Sequence, residues 1–277
     1  MEAPPIAMPA QIYPVGTQDF AKLRNEQCVY VDKTALIYQM TRRSNYVFLS
    51  RPRRFGKSLL CSTMKYYFEG RRDLFSGLAI EQLEQEWTEY PVIHISLNEV
   101  QGTNLDTIDA KLYDQFEPYE KIYGGGPSKT PGIKFKEIVL NAYQKTGKGV
   151  VVIIDEYDAP LLHVLGKPEM LGAVREKMLE FYMPLKNLDP YLRFCFITGI
   201  TKFSQLSIFS TINNLKNISM SEDYATICGI TESEVHQYLH DGVATLCQKL
   251  GCTEAECFAE LKNFYDGYHF GKKSEDI

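Results

Sequence analysis

Short apolar runs alternate with longer amphipathic stretches along most of this chain. Runs at 46–50, 92–97, 150–154, 191–198 and 217–220 predict strands. The clearest is 150–154 (VVVII), all β-branched, the pattern of a strand covered on both faces. Helical spacing predicts helices over 19–27, 34–42, 59–68, 105–123, 135–145 and 170–188. The stretch 124–132 (GGGPSKTPG) has turn residues and no periodicity, so it reads as a flexible connection. Beyond residue 230 only helices are predicted, over 232–249 and 254–264. Each opens with a capping-box pattern, Thr231 with Glu234 and Thr253 with Glu256. Strands alternating with helices, then helices alone, imply an α/β class with a parallel sheet and a small helical attachment. We divide the chain into an N-terminal arm and helix packing on the core (1–45), the core itself (46–224) and a helical lid (225–277).

Composition narrows the class. At 44% hydrophobic and 23% charged residues, 277 residues can bury a sizeable core. No apolar run is long enough for a bilayer, so no membrane partner is expected. The N-terminus lacks the pattern of a signal peptide. The seven cysteines include no C-x-x-C pair. That suits reduced thiols and a cytoplasmic location. The net charge of −5 is uneven: between Lys33 and Phe68 there is no acidic residue, while Lys33, Arg42, Arg43, Arg51, Arg53, Arg54, Lys57 and Lys65 are basic. A basic segment in an acidic protein reads either as a localised anion site or as a solvated face.

The loop after the first strand favours the anion site. Its sequence, Arg51-Pro52-Arg53-Arg54-Phe55-Gly56-Lys57-Ser58, ends as a G-x-x-x-x-G-K-[ST] phosphate loop does, with Arg51 where the first glycine is expected. Gly56 lets backbone amides close on a phosphate, Lys57 places its ammonium between β- and γ-phosphates, and Ser58 offers its hydroxyl to Mg²⁺. The helix that follows aims its free N-terminal amides at the same anion. We assign nucleotide contact to Arg53, Arg54, Phe55, Gly56, Lys57, Ser58 and Leu59. The strand 150–154 then delivers Asp155 and Glu156 to the carboxyl edge of the sheet, a Walker B pattern. Asp155 is expected to hold Mg²⁺ with Ser58, through water, and Glu156 to act as general base on the attacking water. Thr198 ends the next strand; it either senses the γ-phosphate and holds that water, or merely satisfies a strand end.

These segments resemble the AAA-ATPase-like family of bacteria and archaea. The resemblance is carried by 16–20 (GTQDF), 30–34 (YVDKT), 51–59 (RPRRFGKSL), 154–160 (IDEYDAP), 196–201 (FITGIT) and 265–270 (YDGYHF). It implies a P-loop NTPase with a parallel five-stranded sheet in the order 5-1-4-3-2 and a helical lid. It also implies that Arg51 is the family's own variant. Members usually continue into a restriction-like nuclease domain, which we expect to be missing from a chain ending at Ile277. Implied partners are ATP, a homo-oligomer and, through that further domain, nucleic acid. Arg51, Arg53 and Arg54 are expected to brace the loop, contact nucleotide or reach a neighbouring protomer; Asp32, Lys33, Asp266 and Tyr268 are expected to be structural.

The expected function is binding of ATP with Mg²⁺ and its hydrolysis to drive a conformational switch. The alternatives are a non-hydrolysing ATP-dependent scaffold and a nucleic-acid-binding module using the 33–68 basic segment. No guanine-reading N-K-x-D is present. His236 and His240 stand four apart on a predicted helix but lack a third ligand, and Trp87 reads as packing. Cys247, Cys252 and Cys257, each five apart, lack the spacing of a zinc knuckle.

Overall fold

The computed structural model describes residues 12–102, 104–201, 214–265 and 267–271. Two short helices, α1 (Phe20–Asn25) and α2 (Thr34–Arg43), precede β1 (Tyr46–Ser50) and α3 (Lys57–Phe68). Then come α4 (Ala79–Leu83), β2 (Val92–Ser96), α5 (Leu105–Tyr123), α6 (Pro131–Thr146) and β3 (Val150–Asp155). The chain continues through α7 (Ala159–His163), α8 (Pro168–Tyr182), β4 (Leu192–Gly199) and β5 (Lys216–Asn217). It ends in α9 (Glu232–Tyr238), α10 (His240–Leu250) and α11 (Glu254–Tyr265).

All strand pairs are parallel, and the order β2-β3-β4-β1-β5 is the expected 5-1-4-3-2 written from the other edge. The β3 run is buried on both faces, as its composition predicts. Its alternate residues diverge: Val150, Val152 and Ile154 pack with Phe48 and Ile95 under α5, α6 and α8. Val151 and Ile153 join Val47, Leu49 and Phe196 under α1, α2 and α3. Parallel pairing places the ends of β1, β3 and β4 side by side at one carboxyl edge. No described helix is long and apolar enough to cross a membrane.

Three expected elements end differently. The helix predicted over 170–188 stops at Tyr182 and continues as a 3₁₀ turn, Met183–Asn187. Pro184 lacks the N–H that an α-helical turn needs there. The fifth strand shrinks from 217–220 to Lys216–Asn217 because side chains take over its ladder. The Ser219 hydroxyl accepts the Ser50 N–H at 2.8 Å, and Asn217 Oδ1 accepts the Ser219 N–H at 3.0 Å. The helix predicted over 232–249 breaks at Leu239, between α9 and α10; nothing in the structure explains the break.

Candidate functional site

The loop 51–56 leaves β1 and turns into α3 at Gly56, whose φ of +83° lies in the left-handed region. A Cβ there would meet nothing within 4 Å, so backbone conformation, not crowding, calls for glycine. Lys57 is buried, and its Nζ donates to the Pro52 carbonyl at 2.9 Å, folding the ammonium back across the loop. The first turn of α3 contains no acidic residue to occupy its free amides.

Asp155 closes β3 beside this helix start. It is 3% exposed, and its Oδ1 has no hydrogen-bond partner. Burial raises its pKa, while the Ser58 hydroxyl and the Lys57 ammonium oppose the rise. Glu156, half-buried, is raised by burial and by the charge of Asp155. Its φ of +52° and the φ of +68° at Arg54 are left-handed backbone at non-glycine residues, strain of the kind that gathers at functional sites. Thr198 is fully buried at the end of β4, and its Oγ1 is also without a partner. An orphaned buried carboxylate oxygen near a serine hydroxyl suits a hard, oxygen-seeking cation such as Mg²⁺. The residues present therefore fit the expected ion.

Because the folded pKa of Asp155 is raised, its contribution to stability is fullest below the unfolded value. That contribution is lost as pH rises through the folded value. Asp155→Asn should accordingly raise the melting temperature of the chain at pH 7, which calorimetry measures.

Two further residues matter: Asp158, for which no role is expected, and Arg51, for which a brace is one of three. Asp158 is fully buried and pins the turn after β4: its Oδ2 accepts the N–H groups of Ile200 (2.9 Å) and Thr201 (2.8 Å) and the Thr201 hydroxyl (3.0 Å). Tyr157 adds a bond from its hydroxyl to the Thr201 carbonyl at 2.9 Å. A Cβ on Gly199 would come within 2.5 Å of Asp158 Oδ1 and 2.6 Å of the Tyr157 ring. Gly199→Ala should therefore cost about 1–3 kcal/mol by overpacking, read as a lower urea midpoint. The segments 154–160 and 196–201 thus act as one unit, and only their joint appearance in the family pattern hinted at it.

Arg51 is the second. It is 1% exposed, and its Nη1 donates to the carbonyls of Ser50 (3.0 Å) and Ser219 (2.7 Å). Its Nη2 donates to those of Tyr224 (3.1 Å) and Ala225 (3.2 Å). Its guanidinium lies 3.8 Å from the centroid of the Phe270 ring. Burial lowers its pKa to about 10. Of the three roles open to Arg51, the geometry is that of a brace. Arg53 and Arg54 are exposed on the loop.

The rest of the neighbourhood comes from distant parts of the chain. Phe55 packs edge-on against Tyr268 (4.8 Å) and Phe270 (5.6 Å), and the Gly229 N–H donates to its carbonyl at 3.0 Å. Asp266 lies outside the described residues. Lys33 is buried and ion-paired with Glu234 at the start of α9. Asp32 accepts the N–H groups of Thr34 (2.8 Å) and Ala79 (2.7 Å), holding the starts of α2 and α4. A cavity of about 410 Å³ opens beside Gly56, walled by Tyr30, Leu59, Leu60, Cys228 and Leu239 among others.

The fold brings together cysteines whose spacing carries no zinc-knuckle pattern. Despite the intervals of five, the sulfurs of Cys247, Cys252 and Cys257 lie within 4.8 Å of one another, because a turn between α10 and α11 folds the sequence back. Cys61, His94 and Asp155 form a second such set. Burial lowers the His94 pKa to about 4, so its imidazole stands neutral beside the carboxylate at neutral pH. His236 instead stacks on Phe258 at 3.9 Å, and neither it nor His240 joins three convergent ligands among the described residues. Trp87 packs against Phe75 at 5.3 Å, as expected.

Over residues 14–209 the chain matches the AAA-ATPase-like family, described as a predicted AAA-ATPase. An uncharacterized protein in the vnfD 5′ region of Azotobacter chroococcum mcd 1 is 33% identical over 260 residues, which is 93% of this chain. The chain spans about half the length of that relative, 48%. A match over most of the chain, on an α/β fold with this loop at its sheet edge, identifies the chain as a member of the AAA-ATPase-like family.

Proposed function

We propose that the chain is a P-loop ATPase that binds ATP with Mg²⁺ at the start of α3 and hydrolyses it to switch its helical segment. The observation that carries this is the unpartnered Oδ1 of buried Asp155, next to Ser58 and Lys57. Such an orphan costs stability and calls for a ligand. Ser58 and Asp155 would hold Mg²⁺, which when bound neutralises charge on the β- and γ-phosphates. Lys57 exchanges the Pro52 carbonyl for phosphate oxygens, and the amides of Gly56, Lys57, Ser58 and Leu59 surround the anion. Glu156, whose raised pKa moves it toward the range of a base working near neutrality, takes a proton from the attacking water. Thr198 Oγ1 orients that water. The 410 Å³ cavity is sized and placed for the purine, with Phe55 at its rim.

The switch reading rests on covalently distant contacts. Phe55 touches Tyr268 and Phe270, and Lys33 pairs with Glu234. A change in the loop on nucleotide binding or loss therefore reaches the 267–271 segment directly, while α9 is tied to Lys33 in the wall of the cavity. Arg53 and Arg54, exposed on the loop, are free of the bracing role of Arg51 and suit contact with phosphate or with a second protomer. Seven cysteines without a C-x-x-C pair support a reducing, cytoplasmic setting.

Lys57→Ala tests the binding assignment. Loss of charge-assisted bonds worth about 1.5–3 kcal/mol should weaken ATP about 10–100-fold. Isothermal titration of the full chain with Mg·ATP reads this directly. Unchanged affinity in a folded Lys57→Ala variant would remove the loop from the site. Affinity that ignores ATP and falls steeply with salt for an oligonucleotide would favour the nucleic-acid module instead.

A further inference from the structure

We propose that Cys247, Cys252 and Cys257 form a thiolate site for a soft divalent ion, of which Zn²⁺ is the natural occupant, in the turn joining α10 to α11. This site is independent of the ATP reading and uses none of its residues.

The first argument is convergence. Three of the seven cysteines fall within eleven residues, and their sulfurs all lie within 4.8 Å of one another. Zn–S bonds of about 2.3 Å in tetrahedral geometry put sulfurs about 3.8 Å apart, so the set needs at most about 1 Å of closure. Side-chain rotation about χ1 supplies that without moving backbone.

The second argument is a backbone that holds the sulfurs in place before any ion arrives. Gly251, left-handed at φ +66°, ends α10. The N–H groups of Gly251 (2.9 Å) and Cys252 (3.2 Å) both donate to the Cys247 carbonyl. Thr253 and Glu256 then cap α11 reciprocally: Thr253 N donates to Glu256 Oε2 at 2.8 Å, and Glu256 N donates to Thr253 Oγ1 at 3.3 Å. Cys257 N donates to the Thr253 carbonyl at 3.0 Å. Cys247 thus sits in the last turn of α10, Cys252 in the connection and Cys257 in the first turn of α11. Such a site binds without a large ordering cost.

The third argument is chemical. Three thiolates without a cation would repel; a divalent ion removes that repulsion and drives the thiol protons into solvent. Cys257 is buried and Cys252 half-exposed, which leaves an open side for a fourth, solvent ligand. Three sulfur donors select Zn²⁺ over Mg²⁺. The bound ion would tie α10 to α11, whose Val243, Leu246, Phe258 and Leu261 wall a groove of about 530 Å³ reaching Phe55. The Cys61, His94 and Asp155 set is not proposed, because Asp155 belongs to the site already described.

The test uses the full chain, reduced and stripped with a chelator, then titrated with Co²⁺ alone. One equivalent should produce a near-ultraviolet thiolate-to-metal band, and Zn²⁺ should abolish it. Cys252→Ser, at the half-exposed position, should lose most of the band while keeping the wild-type circular dichroism. His94→Gln and Cys28→Ser should keep the band. Zn²⁺ should also raise the melting temperature of wild type and leave that of Cys252→Ser unchanged. A folded wild type with no thiolate band overturns the proposal, as does a band indifferent to Cys252→Ser or lost in His94→Gln. A disulfide among the three cysteines in the chain as purified, found by mass and alkylation, overturns it too.

Discussion

Glu156→Gln is expected to leave Mg·ATP affinity within a few-fold of wild type and to lower turnover by about 10²–10⁴-fold, the usual worth of a positioned general base. The substitution keeps the shape of the side chain and removes only its ability to accept a proton. Glu156 is suited to this role by two features that reinforce each other. It follows Asp155 at the sheet edge, and its left-handed backbone (φ +52°) turns the chain away from the strand axis there. Burial and the Asp155 charge raise its pKa above the ordinary carboxylate value. Both make the carboxylate a stronger base than a solvated glutamate. The rate of the wild type should therefore fall as pH drops through this raised pKa, and the variant should lose that limb of the profile. Wild-type turnover in Glu156→Gln would move the base elsewhere, and loss of binding together with turnover would make Glu156 part of the binding surface.

Arg51→Ala carries the largest expected effect on stability. The guanidinium satisfies four carbonyls, of Ser50, Ser219, Tyr224 and Ala225, inside a region closed by Phe270. Truncation takes a donor from each of those carbonyls, of which Tyr224 keeps the Ile227 N–H at 3.2 Å, and opens a cavity, at a cost of about 3–5 kcal/mol. For a chain of this length that is a fall of roughly 10 °C in melting temperature. Arg51→Lys should recover only part of it, because an ammonium lacks the planar fork that reaches carbonyls on two sides. Arg51→Lys melting like wild type would show that charge alone suffices and that the fork geometry is idle. A normal melt for Arg51→Ala would deny the brace altogether.

The same residue marks how far the sequence could be read. The apolar run of β3, the Gly-Lys-Ser ending and the acidic strand end were legible because each is local: a period of two, a required left-handed glycine, a carboxylate placed by its strand. Arg51 stood out only as an exception to a glycine, since its partners are backbone carbonyls about 170 residues away, and carbonyls have no signature in sequence. Asp158 was invisible for the same reason, its partners being the amides of Ile200 and Thr201. The segment 265–270 was legible only as a family pattern with structural residues, and its contacts, Tyr268 and Phe270 against Phe55, were not. The convergence of the three cysteines was not legible from their intervals, because a Gly251-ended helix and a capped one bring intervals of five together. Proline explained one misjudged helix end, at Met183, and side-chain competition explained the shortened fifth strand.

The central claim is that the orphaned Asp155 carboxylate, Ser58 and Lys57 form a site that hydrolyses ATP with Mg²⁺. The most direct measurement is phosphate release from ATP by the full chain, with Mg²⁺ and with chelator, alongside the stoichiometry of bound ATP. We predict linear, Mg²⁺-dependent phosphate release with one ATP bound per chain, lost in Lys57→Ala through binding and in Glu156→Gln through turnover. A folded chain that binds no ATP at any Mg²⁺ concentration would contradict the account.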